Sequence, residues 1–224
     1  MPVITISRQF GSGGSEIAGL VATSLGWTLL DNAFIERVAS GLHATPAVVE
    51  AIEERAPSLA ERIADALAYG AQELLSAQVH TPLPPPEERV LEVTRQVIDE
   101  AVARGPVVLV GRGAQMRLAS RDDCLHVLCT APQEALVQRV AAREGVPASE
   151  ATRRVTEENR RRSQFVKRYW DRDWLDASNY HLCANTAWLG IAGTAELVVR
   201  AARAHGLAAP AAAAGEGIPG SHAP

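Results

Sequence analysis

Aromatic side chains are scarce in this chain of 224 residues, at 4% of the total. Proteins that hold single-stranded nucleic acid stack successive bases on aromatic rings, so this scarcity argues against such a platform. Positive charge is not in excess either, because the formal net charge is −4. Without a basic field, neither nucleic acid nor a membrane surface is an expected partner.

Cysteine is also rare, and the three residues Cys124, Cys129 and Cys183 have no metal-ligand spacing. An odd, unpatterned set is typical of reduced thiols in the cytoplasm, which is the expected location. No run of 18 apolar residues occurs, and the first residues lack the pattern of a secretory signal, so we expect neither a membrane span nor export. At 47% apolar, the chain is able to bury a full core as one domain plus an insertion.

A glycine-rich turn lies between a β-branched apolar run at 3–7 and an amphipathic helix that begins near Ser15. Glycines let backbone N–H groups converge on an anion, and the helix N-terminus adds about half a positive charge. The strand–loop–helix pattern therefore predicts a phosphate-binding loop. The candidate residues for binding the nucleotide are Arg8, Gly11, Ser12, Gly13, Gly14 and Ser15.

The lysine of the common P-loop pattern, G-x-x-x-x-G-K-[ST], is missing from this loop. Alignment on the second half of the pattern puts Gly14 at the lysine position, Ser15 at the Mg²⁺-ligating hydroxyl, and Arg8 at the first glycine. We expect Arg8 to replace the lysine in part, as a planar fork rather than a point charge. A plain turn, with Ser15 only capping the helix, is the alternative.

Short apolar runs alternate with helical patterns along the chain. Strands are predicted at 3–7, 27–30, 107–110, 125–129 and 180–184, and helices at 15–25, 87–104, 132–144, 149–172 and 194–205. This alternation predicts an α/β fold, with a parallel sheet of about five strands and helices on both faces. Within residues 1–206, the segment 36–90 is interpreted as a helical insertion and 149–174 as an arginine-rich lid. The Ala/Gly/Pro-rich residues 207–224 are expected to be a disordered tail.

Three strand ends carry polar groups, and ligands of such sheets bind outside the carboxyl ends of the strands. The loop Gly11–Ser15, Asp31 and Arg112 should therefore share one edge of the sheet. Each residue also has a simpler explanation: Asp31 is a possible helix N-cap, and Arg112 a possible structural ion-pair partner.

With these residues assembled, the chain resembles the cytidylate kinase-like family of P-loop nucleoside monophosphate kinases. The resemblance is closest to the branch whose loop reads S-R-x-x-G-S-G-G, as residues 7–14 do here, and it extends over about residues 2–205. In that branch the lysine is absent as a group feature. The resemblance implies a P-loop NTPase-type parallel sheet with a monophosphate-binding insertion and an arginine-rich lid.

The resemblance also implies roles for single residues. Asp31 and Arg37 have the spacing of the family's acceptor-site Asp and Arg, and Arg112 matches the arginine of the family's G-R-D turn, in which Gly113 replaces the aspartate. Arg37 on its own would equally fit an exposed helix face. The predicted catalytic residues are Asp31, Arg112, Arg160 and Arg162, and the predicted acceptor-binding residues are Asp31, Arg37 and Arg112.

The lid arginines are taken from the cationic segment 153–172, for which a solvated helix face or a nucleic-acid patch is the competing interpretation. The implied activity is ATP-dependent phosphoryl transfer to a nucleoside monophosphate such as CMP or dCMP, with Mg²⁺ held through the nucleotide and Ser15. The alternatives are a nucleotide-binding regulatory module and a kinase of a non-nucleotide small molecule. The long helical segment after Asp31 is expected either to cover the acceptor or to form a homodimer interface.

Overall fold

The structure is a computed structural model that describes residues 1–31, 95 and 98–209. Arg37, the predicted insertion at 36–90 and the chain beyond 209 lie outside the described residues. The strands are β1 (Val3–Arg8), β2 (Thr28–Leu30), β3 (Val107–Val110), β4 (Cys124–Thr130) and β5 (Leu182–Asn185). The helices with defined bounds are α1 (Gly14–Leu25), α2 (Ala114–Arg117), α3 (Gln133–Glu144), α4 (Ala148–Trp170) and α5 (Thr186–Ala204), and residues 98–104 are also helical.

The five strands form one parallel sheet in the order β2-β3-β1-β4-β5. This confirms the predicted α/β class and the number of strands. Strand β1 lies at the centre, with Val3 opposite Val107 of β3 on one side and Cys124 of β4 on the other. Because all strands run the same way, their carboxyl ends meet at one edge, where the loop after β1 begins.

Both faces of β1 are buried, as expected for a central strand of a parallel sheet that is covered by helices on both sides. Ile4 and Ile6 are fully buried in the main core, which also contains Val21 of α1 and Val198 of α5. The intervening residues of β1 are buried as well, including the polar Thr5. The strand is thus covered on both sides, and its end is held in place for the loop that follows.

A smaller second core joins α3 to α4. Leu136 and Val140 of α3 pack with Ala151 and Val155 of α4, and Phe10 from the loop after β1 packs against them. Ion pairs support the same junction, since Arg154 reaches Glu144 at 2.7 Å and Glu150 at 2.8 Å. The arginine-rich helix is therefore attached to the body of the domain at its N-terminal half.

The last strand and helix differ from the predicted bounds. The strand begins at Leu182 rather than at 180, and α5 begins at Thr186, eight residues before the predicted start. The helix is kinked at Gly190, with φ 72° and ψ 172°. Because glycine usually marks a turn, the sequence pattern predicted a loop where the first turn of this helix lies. Asn185 caps this turn by accepting hydrogen bonds from the N–H groups of Ala187 and Trp188.

The chain after α5 remains packed for a few residues. The N–H of Leu207 donates to the carbonyl of Ala202, and Leu207 and Ala208 pack against the main core. The predicted tail thus begins with ordered residues. No helix within the described ranges combines the length and apolar character needed to cross a membrane.

Candidate phosphoryl-transfer site

The loop after β1 turns sharply into α1. Gly11 and Gly13 have left-handed backbone conformations, with φ of 87° and 77°. A β-carbon on Gly11 would lie 2.7 Å from the carbonyl oxygen of Leu136, and one on Gly13 would meet the side chain of Ile191. Both positions thus require glycine for conformation and for space. Gly13 is the N-cap, and α1 opens at Gly14, so the unpaired N–H groups of the first helical turn face the carboxyl edge of the sheet.

Ser15 lies in this first turn and is exposed at the cavity, rather than capping the helix. Ser12 has a different environment from that predicted for a phosphate ligand. It is fully buried, and both its N–H and its hydroxyl donate to the carbonyl of Gln9, at 3.2 and 2.8 Å. Its own donors are thus used to close the turn, and the structure does not bring Ser12 into the cavity lining.

An arginine that the sequence analysis did not single out links the loop after β1 to the start of α5 by hydrogen bonds. Arg139 of α3 donates to the carbonyl of Ser12 at 3.2 Å and to both the hydroxyl and the carbonyl of Thr186, at 2.8 and 2.7 Å. Thr186 is fully buried. These bonds join the loop after β1 to the start of α5, and they depend on residues more than 40 positions apart, which no local pattern reveals.

Arg8 and Asp31 approach each other at the carboxyl edge of the sheet. Nη2 of Arg8 is 3.9 Å from Oδ1 of Asp31, and the two side chains are 12% and 27% exposed. Arg8 leaves the end of β1 opposite Cys129 of β4, whose thiol has its pKa raised to about 12 by burial. That thiol remains protonated and unreactive, so the polar chemistry of this edge belongs to the arginine and the aspartate.

The turn after β3 presents Arg112 to the same cavity. Its three residues are all left-handed, with φ of 77° at Gly111, 52° at Arg112 and 67° at Gly113. A non-glycine residue in this conformation is strained, and such strain is concentrated at functional sites. The turn is anchored because the N–H of Gly111 continues the β ladder to the carbonyl of Ile6 at 3.1 Å.

The indole of Trp170 covers Gly113, the position at which the resemblance implies an aspartate. A β-carbon at this position would lie within 3.0 Å of three atoms of the Trp170 indole. Trp170 is the last residue of α4 and packs edge-on with Phe165. The C-terminal end of the arginine-rich helix α4 therefore packs against the turn that carries Arg112.

One face of α4 lines the cavity, and the helical period decides which arginines reach it. The lining residues of this helix are Glu158, Arg161, Arg162, Phe165 and Val166. They follow the i, i+3, i+4, i+7, i+8 spacing of a single face. Arg160 is two residues from Arg162, about 200° around the axis, and is exposed outside the cavity lining. The structure thus brings Arg162 to the site and does not bring Arg160.

The loop binds this face of α4 directly. The N–H of Phe10 donates to Oδ1 of Asn159 at 2.7 Å, and Nη1 of Arg162 donates to the carbonyl of Arg8 at 2.6 Å. The guanidinium groups of Arg143 and Arg162 lie 5.0 and 5.7 Å from the centre of the Phe10 ring. Phe10 therefore orients two cations toward the loop, a role that its position in the sequence does not reveal.

These elements enclose a cavity of about 560 Å³ at the carboxyl edge of the sheet. Among the described residues, five arginines line it, against the three carboxylates of Glu16, Asp31 and Glu158. The arginines are Arg8, Arg112, Arg143, Arg161 and Arg162. This lining is thus net positive in a chain of net charge −4, which suits a polyphosphate ligand.

A nucleoside triphosphate fits this set of residues, because the glycine cradle, the helix N-terminus and the arginines converge on one space. Mg²⁺ fits as an ion that would be held mainly through phosphates, and the oxygens of Ser15, Glu16 and Asp31 in the cavity lining are of the type that would bind it. Within the described part of the chain, no cluster of three or more His, Cys, Asp or Glu side chains could hold a metal ion by itself.

Residues 3–187 match the model of the cytidylate kinase-like family. The chain belongs to the cytidylate kinase-like family. A cytidylate kinase from Aeropyrum pernix is 33% identical over 117 residues, which are 52% of this chain and 67% of that protein. One from Methanopyrus kandleri is 33% identical over 105 residues, 43% of this chain and 54% of that protein.

A solved structure, described as an uncharacterized protein from Eubacterium ventriosum, has a TM-score of 0.65 at 16% identity. The superposition covers 90% of this chain and 98% of that one, and at this identity it shows the fold alone. Membership of the cytidylate kinase-like family confirms the predicted resemblance. The matched range includes the loop with Gly14 and the turn with Gly113.

Proposed function

We propose that this protein is a kinase that transfers the γ-phosphoryl group of ATP to a small acceptor, with CMP or dCMP the first candidates. The observation that carries the proposal is the convergence of three separate strand ends on one positive cavity: the loop after β1, Asp31 after β2, and Arg112 after β3. A protein that only bound ATP would have no need of the second and third groups. The similarity to cytidylate kinases favours a pyrimidine nucleotide.

Phosphoryl transfer depends mainly on positioning and on stabilising charge, with little covalent chemistry from the protein. In the proposed reaction an acceptor oxygen forms a bond to the γ-phosphorus, and the bond to the β,γ-bridging oxygen breaks. ADP leaves with that electron pair. The N–H groups at the start of α1 would bind the donor phosphates, while Arg112 and Arg162 would neutralise the equatorial oxygens. Mg²⁺, when bound, would supply further neutralisation of the donor phosphates.

Asp31 would orient the acceptor. The second ionisation of a phosphate monoester has a pKa near 6, so a nucleoside monophosphate acceptor is mostly deprotonated at neutral pH and has no proton to lose. An alcohol acceptor, by contrast, must lose a proton, which Asp31 is placed to accept. The identity of the acceptor therefore decides whether Asp31 is an orienting group or a general base.

The test is to incubate the purified protein with Mg-ATP and a panel of nucleoside monophosphates and small non-nucleotide alcohols, and to measure ADP production. We expect turnover with CMP or dCMP, and we expect Arg112→Ala to abolish it while ATP affinity stays nearly intact. Loss of ATP binding in Arg112→Ala would contradict the acceptor-site role.

Two controls make the result specific. Ser15→Ala should raise the Mg²⁺ concentration needed for half-maximal turnover, whereas Arg121→Ala, at the opposite edge of the sheet where it pairs with Asp123 at 2.7 Å, should have no effect. Measurable ATP binding without turnover on any acceptor would favour the regulatory module, for which the missing loop lysine is the supporting observation. Turnover on a non-nucleotide alone would favour a small-molecule kinase.

A further inference from the structure

The side chain of Arg8 occupies the space in which a P-loop lysine would begin. A β-carbon on Gly14, the lysine position, would fall under 3.0 Å from both the β-carbon and the γ-carbon of Arg8, and 3.6 Å from its δ-carbon. Real β-carbons essentially never approach other atoms so closely. Because the first of these atoms is the β-carbon itself, any residue other than glycine at position 8 would exclude a side chain at position 14.

The common pattern has glycine at the position of Arg8 and lysine at that of Gly14. This chain has the reverse, a cation at 8 and glycine at 14. We infer that positions 8 and 14 form a reciprocal pair, in which one site carries the phosphate-binding cation and the other must be glycine. On this view the lysine is not simply lost, because its function has moved from α1 to the end of β1.

The far end of Arg8 passes over Gly111 and shows where the relocated cation lies. A β-carbon on Gly111 would overlap Nη1 of Arg8 and lie 3.0 Å from its Cζ. Nη2 of the same guanidinium is 3.9 Å from Oδ1 of Asp31. The side chain therefore runs from the phosphate loop, across Gly14 and over Gly111, to the residues proposed to hold the acceptor.

A guanidinium in this position has two consequences for a ligand. Its planar fork can bind two phosphate oxygens at once, which an ammonium group cannot do with the same geometry. It also lies between the donor loop and the acceptor edge, where the migrating phosphoryl group would pass. We assign Arg8 as the cation that binds this group, an assignment that rests on the proposed function.

The steric half of the inference is tested without any ligand, by thermal unfolding of variants at position 14 in three backgrounds. Gly14→Ala should lower the Tm by roughly 3–10 °C in the wild-type background, because of overpacking. The cost should persist with Arg8→Ala, which keeps the β-carbon, and should nearly disappear with Arg8→Gly, which removes it. Equal costs in all three backgrounds would overturn the reciprocal pair.

The phosphate half is tested by calorimetric titration with Mg-ATP. Arg8→Gly should bind roughly 10- to 100-fold more weakly, the effect expected for one or two charged hydrogen bonds. The double variant Arg8→Gly, Gly14→Lys rebuilds the common loop and should recover at least tenfold of that loss. Gly14→Lys alone should not bind more tightly than the wild type, because its side chain has no space.

The outcomes separate this inference from the proposed function. Wild-type affinity in Arg8→Gly, or a wild-type protein that binds no Mg-ATP, would overturn the assignment of Arg8. A wild-type protein that binds Mg-ATP but transfers no phosphate would count against the kinase alone, and the variants would still be judged by affinity and Tm. Arg121→Ala removes one positive charge far from the cavity and controls for a general electrostatic effect.

Discussion

The contact between Gly113 and Trp170 yields a quantitative prediction about the turn that carries Arg112. Gly113→Ala would incur two costs. The left-handed φ of 67° costs a residue with a β-carbon roughly 1–2 kcal/mol, and overpacking against the indole costs a further 1–3 kcal/mol. We therefore expect a loss of about 3 kcal/mol in the free energy of unfolding.

The two costs are separable with one matched position and one second variant. Gly145 has nearly the same φ, 65°, and a β-carbon added there would have no neighbouring atom within 4 Å, so Gly145→Ala should show only the backbone cost of roughly 1–2 kcal/mol. In a Trp170→Ala background, Gly113→Ala should fall to that same value. The coupling energy of the Gly113–Trp170 cycle is then about 1–3 kcal/mol.

The assay is urea denaturation followed by circular dichroism, with the m-value compared across all variants so that a change in the unfolded state is recognised. If Gly113→Ala costs the same in both backgrounds to within about 0.5 kcal/mol, the indole does not restrict the turn. Steric exclusion by Trp170 would then be refuted as the reason for the missing aspartate. A wild-type-like Gly113→Asp variant would refute it as directly.

Three further predictions concern the cavity and the sheet. Arg162→Ala should lower kcat/KM for ADP formation by at least about tenfold, because it removes a charged hydrogen bond near the phosphates. Arg160→Ala, on the outer face of the same helix, should change it by less than about twofold, and equal losses would favour the sequence-based assignment of both arginines. Asp31→Asn should reduce turnover modestly for a monophosphate acceptor but by roughly 10²-fold or more for an alcohol, since only the alcohol needs a base. His126 is 3% exposed, and burial and the neighbouring His181 lower its pKa to about 4. The unfolded chain therefore binds more protons between pH 6.5 and 4, so about 3 kcal/mol of stability should be lost as the pH falls through that range, and His126→Gln should flatten the dependence.

Local patterns in the sequence determined much of this protein. The apolar runs at 3–7 and 107–110 became neighbouring central strands, and the glycine-rich turn became the start of α1, because strand and helix periods are set by residues close together in the chain. The parallel topology then placed Asp31 and Arg112 at one edge, as the strand-end rule predicts. The resemblance predicted from the same loop residues agrees with the family match over residues 3–187.

The tertiary structure decided which side chains complete the site. The rotation of α4 about its axis selects Arg162 over Arg160, and that rotation is set by packing against α3 and by Trp170 on the turn after β3. The hydrogen bond from Arg139 to the loop after β1 likewise joins residues 127 positions apart. Such contacts depend on the relative placement of whole elements, about which a local pattern carries no information.

The loop after β1 shows both what the local sequence determines and what only the tertiary structure determines. The sequence has an arginine at position 8 and no lysine at position 14, but no local pattern links the two positions. Only the folded chain brings the β-carbon of residue 8 against the space above residue 14, because the turn between them folds back on the end of β1. The physical reason is exclusion of volume, which depends on where atoms lie in space and leaves no trace in composition or spacing.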